Sequence, residues 1–206
     1  MTRKEEILYA ALALASEHGA QAVSMSQIAQ RVGIRKASLY SHFASKDEIF
    51  AAMYELLRER AAGQPHAVRD YGALFEGRTL EEILLTCFAE YAHFLRDPDM
   101  LCFFRVLYTQ RSISPAAAQI LLEESQRMIA ATRDLFYALV VHGRMRGEDT
   151  DTAALSYAMT VHGLVDQQMD RMTAGVPEAP GDGELPAQIK DYIRWFSKQM
   201  EVVSHA

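Results

Sequence analysis

Arg35, Lys36, Ser38, Ser41 and His42 fall within eight residues of one another, and no Asp or Glu occurs from Arg31 to Lys46. Each of these side chains donates hydrogen bonds. Grouped on one face of a short helix, they would offer donors to phosphate oxygens and base edges, with no carboxylate beside them to repel an anion. That is recognition chemistry rather than bond-making chemistry. The chain contains no Gly-x-Ser-x-Gly elbow, no glycine-rich phosphate loop and no His-Glu-x-x-His pair, so an enzyme is not expected, nor a cofactor. His93, His142 and His162 are far apart in sequence. Lone histidines are ordinarily surface or core residues, so no metal site is expected, and a metal-dependent enzyme is the remote alternative.

The elements that must position these donors are two short helices and a tight turn. Ser24-Met25-Ser26-Gln27 fits a capping box that opens one helix. Gly33 closes it, because glycine adopts the left-handed conformation without penalty. A second helix is expected from Lys36 to His42. Two such helices can cross closely only where the contact residue is small, and Ala29 is that residue. Ile28, Val32, Ile34 and Leu39 are spaced to pin both helices to a support, leaving the outer face of the second free for a major groove. The unit from Ser24 to Phe43 therefore reads as a helix-turn-helix. A generic helical hairpin would share the Ala-x3-Gly-x5-Leu spacing, so the spacing alone leaves that alternative open.

The wider stretch is more specific. Ser24-Met25-Ser26-Gln27-Ile28-Ala29, Val32-Gly33-Ile34, Lys36-Ala37-Ser38-Leu39-Tyr40, His42-Phe43 and Ser45-Lys46-Asp47-Glu48-Ile49-Phe50 occur in order. This run, with the helix before it that ends at Gly19, closely resembles the DNA-binding domain of the tetracycline-repressor (TetR) family over about the first 55 residues. The resemblance implies that Ser24 and Ser26 contact phosphate and that Lys36, Ala37, Ser38 and Ser41 occupy recognition-helix positions. It implies that Tyr40, His42 and Lys46 touch backbone phosphates, while Arg35 flanks the same face. Ser24 could instead be purely a helix cap, Tyr40 mainly a packing residue and Arg35 only solvated. Ser41 departs from the residues common at its position in the family. Phe43 is expected in the core.

The rest of the chain bounds the setting. Of 206 residues, 50% are apolar and 23% charged, an ordinary globular balance. Net charge is −6, but residues 1–50 carry +1 and residues 51–206 carry −7, so a small basic patch is hidden in an acidic total. No run approaches the roughly 20 apolar residues of a membrane span, and the N-terminus lacks the pattern of a signal peptide, so a cytoplasmic protein without membrane contact is expected. Cys87 and Cys102 do not make a disulfide framework; a redox role is the less common alternative.

Periodicity is helical throughout, so the expected fold class is all-α. Helices are expected at about 2–18, 24–32, 36–42, 46–62, 79–96, 100–110, 114–144, 149–172 and 186–203, with a polar connection around residues 63–77. A three-helix helix-turn-helix domain at 1–50, continued through the helix at 46–62, would precede a helical effector-binding and dimerisation domain at 51–206.

Family resemblance implies a homodimer on a palindromic double-stranded DNA operator, paired through the last two long helices. The expected dimer residues are Leu155, Met159, His162, Met169, Ile189, Tyr192, Ile193, Phe196 and Met200, within apolar stripes that include Trp195; the alternative is that one of these faces closes the monomer core. A small apolar or aromatic effector is implied, with release of DNA on binding. Phe88, Tyr91, Phe94, Phe103, Phe104, Arg105, Tyr108, Met128, Phe136, Tyr137 and His162 are the candidate pocket, although aromatics at helical spacing are more often core. Arg105 among them would meet an anionic ligand or pair with an acid such as Glu90. A DNA-binding protein without a ligand, controlled by a protein partner, is the second reading.

Overall fold

A computed structural model describes residues 1–62, 71–95, 97–176 and 185–202, without the side chains of residues 61–62 and 93–95. The described residues form helices α1 (Arg3–His18), α2 (Met25–Val32), α3 (Lys36–Tyr40), α4 (Lys46–Ala62), α5 (Tyr71–Phe75), α6 (Leu80–Leu95), α7 (Pro98–Gln110), α8 (Pro115–Val141), α9 (Thr150–Thr173) and α10 (Ala187–Met200). Their only β feature is an isolated bridge between Met145 and Glu201.

Helix starts follow side-chain capping. Thr2 with Glu5 and Ser24 with Gln27 form reciprocal capping boxes, and Thr79 with Glu82 does the same before α6. Two further boundaries and one added helix differ from expectation, besides the end of α3. Helix α7 begins at Pro98 rather than Met100, because the Asp97 carboxylate accepts from the Met100 N–H at 2.9 Å and proline fills the first helical position. Helix α8 stops at Val141 rather than Arg144: Gly143 turns to φ 65° and the Arg144 N–H returns to the Leu139 carbonyl at 2.8 Å. Helix α5 lies inside the stretch expected to be a connection. Its five residues include Gly72, so propensity gives no signal; Phe75 is buried and meets His142 edge-on at 5.3 Å.

The chain forms two compact units, one of residues 1–66 and 94–124, the other of residues 67–93 and 125–206. The unit holding the helix-turn-helix thus includes α7 and the start of α8. Its core joins Ile7, Leu8, Ala11 and Leu12 of α1 to Ile28, Ala29 and Leu39 of the motif, to Ile49, Met53 and Leu57 of α4, and to Phe103 and Leu107 of α7. One polar cluster is buried there. Glu124, 4% exposed, accepts from the Tyr54 hydroxyl at 2.7 Å and from the Arg58 guanidinium at 3.2 Å, tying α4 to α8. A buried carboxylate persists only when partnered in this way.

In the second unit, Phe136 is fully buried and stacks on Phe196 at 5.5 Å, and Tyr157 packs on both. Burial pushes the Tyr157 phenol well above its ordinary pKa. Ile189 and Ile193 are buried in the same unit. The end of α10 is tied down where the Arg146 N–H donates to the Met200 carbonyl at 2.9 Å.

Tyr54→Phe removes one of the donors to Glu124 and leaves a buried carboxylate oxygen short of a partner. It is expected to cost about 1.5–3 kcal/mol in urea unfolding. Combining it with Glu124→Leu should recover part of that loss, since Arg58 is partly exposed and can turn to water.

Candidate nucleic-acid interface

The turn between α2 and α3 is set by Gly33, at φ 74° and ψ 31°. Its N–H donates to the Gln30 carbonyl at 3.1 Å and the Ile34 N–H to the Ala29 carbonyl at 2.9 Å, the paired bonds that close a helix through a left-handed residue. Ala29 is 2% exposed, the small contact residue the motif requires. Helix α3 has Leu39 as its one fully buried side chain. Ser41 and His42 follow the helix in a turn rather than extending it to His42, though the His42 and Phe43 N–H groups still donate to Leu39. Phe43 is buried, as expected.

Around Leu39 the remaining side chains of α3 face water. Arg35, Lys36, Ala37, Ser38, Tyr40 and Ser41 are exposed and His42 half-buried. Tyr40 is 48% exposed, with the Lys36 ammonium 5.9 Å from its ring, so it is not a core residue. The Ser41 hydroxyl donates to the Ser38 carbonyl at 2.7 Å, which leaves its oxygen available as an acceptor. Among the described residues, Arg35 and Lys36 have no ion-pair partner, so their charge is open to an anion.

Three other positions are more occupied than their sequence suggests. The Ser24 hydroxyl accepts from the Gln27 N–H at 3.3 Å and donates to the Gln27 side chain at 2.8 Å, so it is engaged as a cap; Ser26 is exposed beside it. Lys46 turns toward the α1–α2 turn, its ammonium donating to the Ala20 and Val23 carbonyls at 2.7 and 3.1 Å. Two of its three N–H donors are thereby used within the fold, and one is left for a phosphate. Arg31, part of the acid-free stretch, pairs with Glu17 at 2.6 Å; that bond holds the Glu17 carboxyl below its ordinary range. Of the four cations in the stretch, two therefore serve the fold and two remain on the reading face. Sequence spacing could not separate them, because Lys46 and Arg31 find partners 14–26 residues away.

The candidate effector aromatics are divided between the units. Phe103 and Phe104 (6.2 Å apart) and Tyr108 belong to the first, together with Arg105, which is exposed. Phe88, Tyr91, Met128, Phe136, Tyr137 and His162 belong to the second; the Phe94 side chain lies outside the described residues. Phe88, Phe103, Phe104 and Phe136 are core residues, whereas Tyr137 is 47% exposed, its hydroxyl 3.2 Å from Asp151. His162 pairs with Asp166 at 3.7 Å. Among the described residues no three His, Cys, Asp or Glu side chains converge as metal ligands, and no helix is long and apolar enough to cross a membrane.

The expected dimer residues also separate. Ile189, Ile193 and Phe196 are buried within the protomer, and His162, Met169, Tyr192 and Met200 are partly so. Leu155 (48%), Met159 (45%) and Trp195 (57%) are exposed. Tyr192 stacks on Trp195 at 6.0 Å.

Lys36→Ala and Lys46→Met should behave differently on duplex DNA. The first is expected to weaken binding to the operator by about 1–3 kcal/mol and to relax sequence preference at the base it meets, without changing unfolding. The second is expected to lower stability as well, by about 1–3 kcal/mol, since two carbonyls lose a charged donor. Filter binding across a salt series with parallel urea unfolding separates the two; equal unfolding midpoints would remove the structural role of Lys46.

Comparison with known proteins places this geometry. The model of the tetR family of bacterial regulatory proteins matches residues 7–53, and that of the AefR-like transcriptional repressor C-terminal domain matches residues 82–199. The nucleoid occlusion factor SlmA of Vibrio vulnificus (strain YJ016) is 38% identical over 94 residues, 43% of this chain and 46% of that one. The chain thus spans about half the length of the curated relatives it matches. The crystal structure of a TetR family transcriptional regulator from Pseudomonas syringae pv. tomato str. DC3000 superposes with a TM-score of 0.69 at 25% identity, covering 96% of each chain. The flavonoid-responsive regulator FrrA superposes with a TM-score of 0.74 at 22% identity, covering 98% of each. With a family model over more than half its length and a helix-turn-helix of matching sequence at its start, the chain belongs to the TetR family of transcriptional regulators.

Proposed function

We propose that the protein is a homodimeric repressor that holds a palindromic operator with two copies of α3 and releases it when a small apolar or aromatic effector binds. The observation that carries this reading is the uncompensated donor face of Arg35, Lys36, Ser38 and Tyr40 around a single buried anchor, Leu39. A helix of five residues spans too few base pairs for specificity. A twofold pair, with half-sites about 34–36 Å apart or a multiple of it, supplies the rest. Residues 1–50 would read DNA, and residues 51–206 would pair the protomers and take the effector. Lys36, Ala37, Ser38 and Ser41 would meet bases, and Ser26, Tyr40, His42 and the third donor of Lys46 would meet phosphates.

The partner face is assigned to the side of α9 and α10 that the protomer leaves in water: Leu155, Met159 and Trp195, bordered by Tyr192. Exposed large side chains in a cluster are characteristic of an interface. Repression is supported by the match to the AefR-like repressor C-terminal domain, and a small-molecule effector by the likeness to FrrA, whose name describes a response to flavonoids. Such control works only if the ligand prefers the geometry that does not fit DNA. The SlmA relatives are named as nucleoid occlusion factors, a name that mentions no ligand, and the second reading is a DNA-binding protein controlled by a protein partner.

Recovery of bound fragments across the genome should return one palindromic motif upstream of a few genes, with released DNA in the presence of an aromatic effector drawn from their products. Scattered fragments without a shared motif would refute the specific repressor. A shared motif with no response to any ligand would favour the protein partner. Leu155→Asp and Trp195→Asp alter side chains that face water in the protomer, so each should leave protomer unfolding within about 0.5 kcal/mol. Both should yield monomers in sedimentation and lose operator affinity. Dimers that persist in both variants would place the interface elsewhere.

A further inference from the structure

Between the last turn of α1 and one face of α7 lies a groove of about 480 Å³. Its volume is within the range of about 300–1,000 Å³ in which proteins hold small molecules. On the α1 side the groove wall is made only by Ala15 and Ser16 of the last turn and by Gly19 just after it, so no side chain larger than serine fills the groove from that side. Across from them, Cys102, Arg105, Val106 and Thr109 recur at the spacing of one helix stripe. A stripe that merely packed on α1 would be apolar; this one carries a guanidinium.

The charge on that guanidinium is uncompensated. No carboxylate lines the groove, and Arg105 has no ion-pair partner among the described residues. Other arginines of the same unit are paired with acids: Arg3 with Glu6, Arg31 with Glu17, Arg58 with Glu124 and Arg60 with Asp99. Among the described residues of the unit, Arg35 and Arg111 likewise have no acidic partner. The Thr109 hydroxyl donates to the Val106 carbonyl at 2.8 Å and so can only accept, whereas the Ser16 hydroxyl is exposed and can donate.

From this lining we propose that the groove binds a small carboxylate with a compact apolar body. The carboxylate sits on Arg105, whose planar fork matches two oxygens, and the body lies against Ala15, Leu101 and Val106. All of its lining belongs to the unit that holds the helix-turn-helix, and binding there does not depend on the protein being an induced repressor. Cys102 is a free, partly exposed thiol in the groove wall and reports on occupancy, with Cys87 as a reference outside it.

The experiment uses the full chain with benzoate and hexanoate as probes, their amides as neutral counterparts, and sodium chloride to match ionic strength. Expected are a raised melting temperature and slower alkylation of Cys102 by iodoacetamide with either acid, with Cys87 unaffected and the amides inactive. Arg105→Gln should weaken both effects about tenfold or more, and Arg105→Lys, which keeps the charge without the fork, should be intermediate. Arg105 is exposed, so neither variant removes core. Acids and amides acting alike, Cys102 unprotected by either acid, or full protection in Arg105→Gln would each overturn the proposal.

Discussion

A helix of five residues has no stability of its own in water, because the cost of its first turn exceeds what so few hydrogen bonds return. Helix α3 nevertheless carries the donor face on which the proposed recognition of DNA depends. It is ordered because Leu39 is fully buried and Phe43, just beyond it, is buried too. The anchor is narrow for a functional reason. Each additional apolar residue on α3 would take a position from the donors that face the groove, so stability has to be supplied by other helices. Helices α1 and α4 give the pins their socket, and α7 packs behind them. The polar tie from Tyr54 and Arg58 to Glu124 adds α8 to the same scaffold.

The same economy governs charge. A DNA-binding surface needs cations that are not already satisfied, while the fold needs donors to satisfy carbonyls and acids near the turn. Lys46 closes the α1–α2 turn by bonding Ala20 and Val23, and Arg31 is held by Glu17. Of the cations near the turn, Arg35 and Lys36 remain for an anion. The net charge of the chain, −6, therefore says little about its partner, because the relevant field comes from a few groups with no acid at hand.

How much of this was legible in the sequence depends on the range of the interactions involved. The capping box of Ser24 and Gln27, the left-handed Gly33 and the buried Leu39 are local features, and all lie where spacing put them. The orientation of Lys46 was not legible: a lysine at a helix start looks the same whether it faces a phosphate or two carbonyls 23 and 26 residues back. Helix α5 was missed because its glycine suppresses propensity and its reason to exist, Phe75 against His142, spans 67 positions of chain. The aromatics from Phe88 to Tyr137 were visible as a set, but helical spacing cannot tell a pocket wall from a core. In the structure Phe103 and Phe136 are fully buried in different units.

Helices α9 and α10 show where that ambiguity ends and a physical decision begins. Periodicity assigns both an apolar stripe, and burial splits it. Ile189, Ile193 and Phe196 close the protomer, whereas Leu155, Met159 and Trp195 remain in contact with water. Fully burying side chains of this size is worth about 1.5–3 kcal/mol each, so leaving several uncovered on adjoining helices forgoes a large driving force. A second protomer would recover it through a surface that must complement itself across a twofold axis. The recognition helix has a matching need, since five residues read too little of a duplex unless a second copy is held at a fixed spacing. One pairing event would answer both deficits, and it would make the separation of the two reading heads a property of the dimer rather than of either chain.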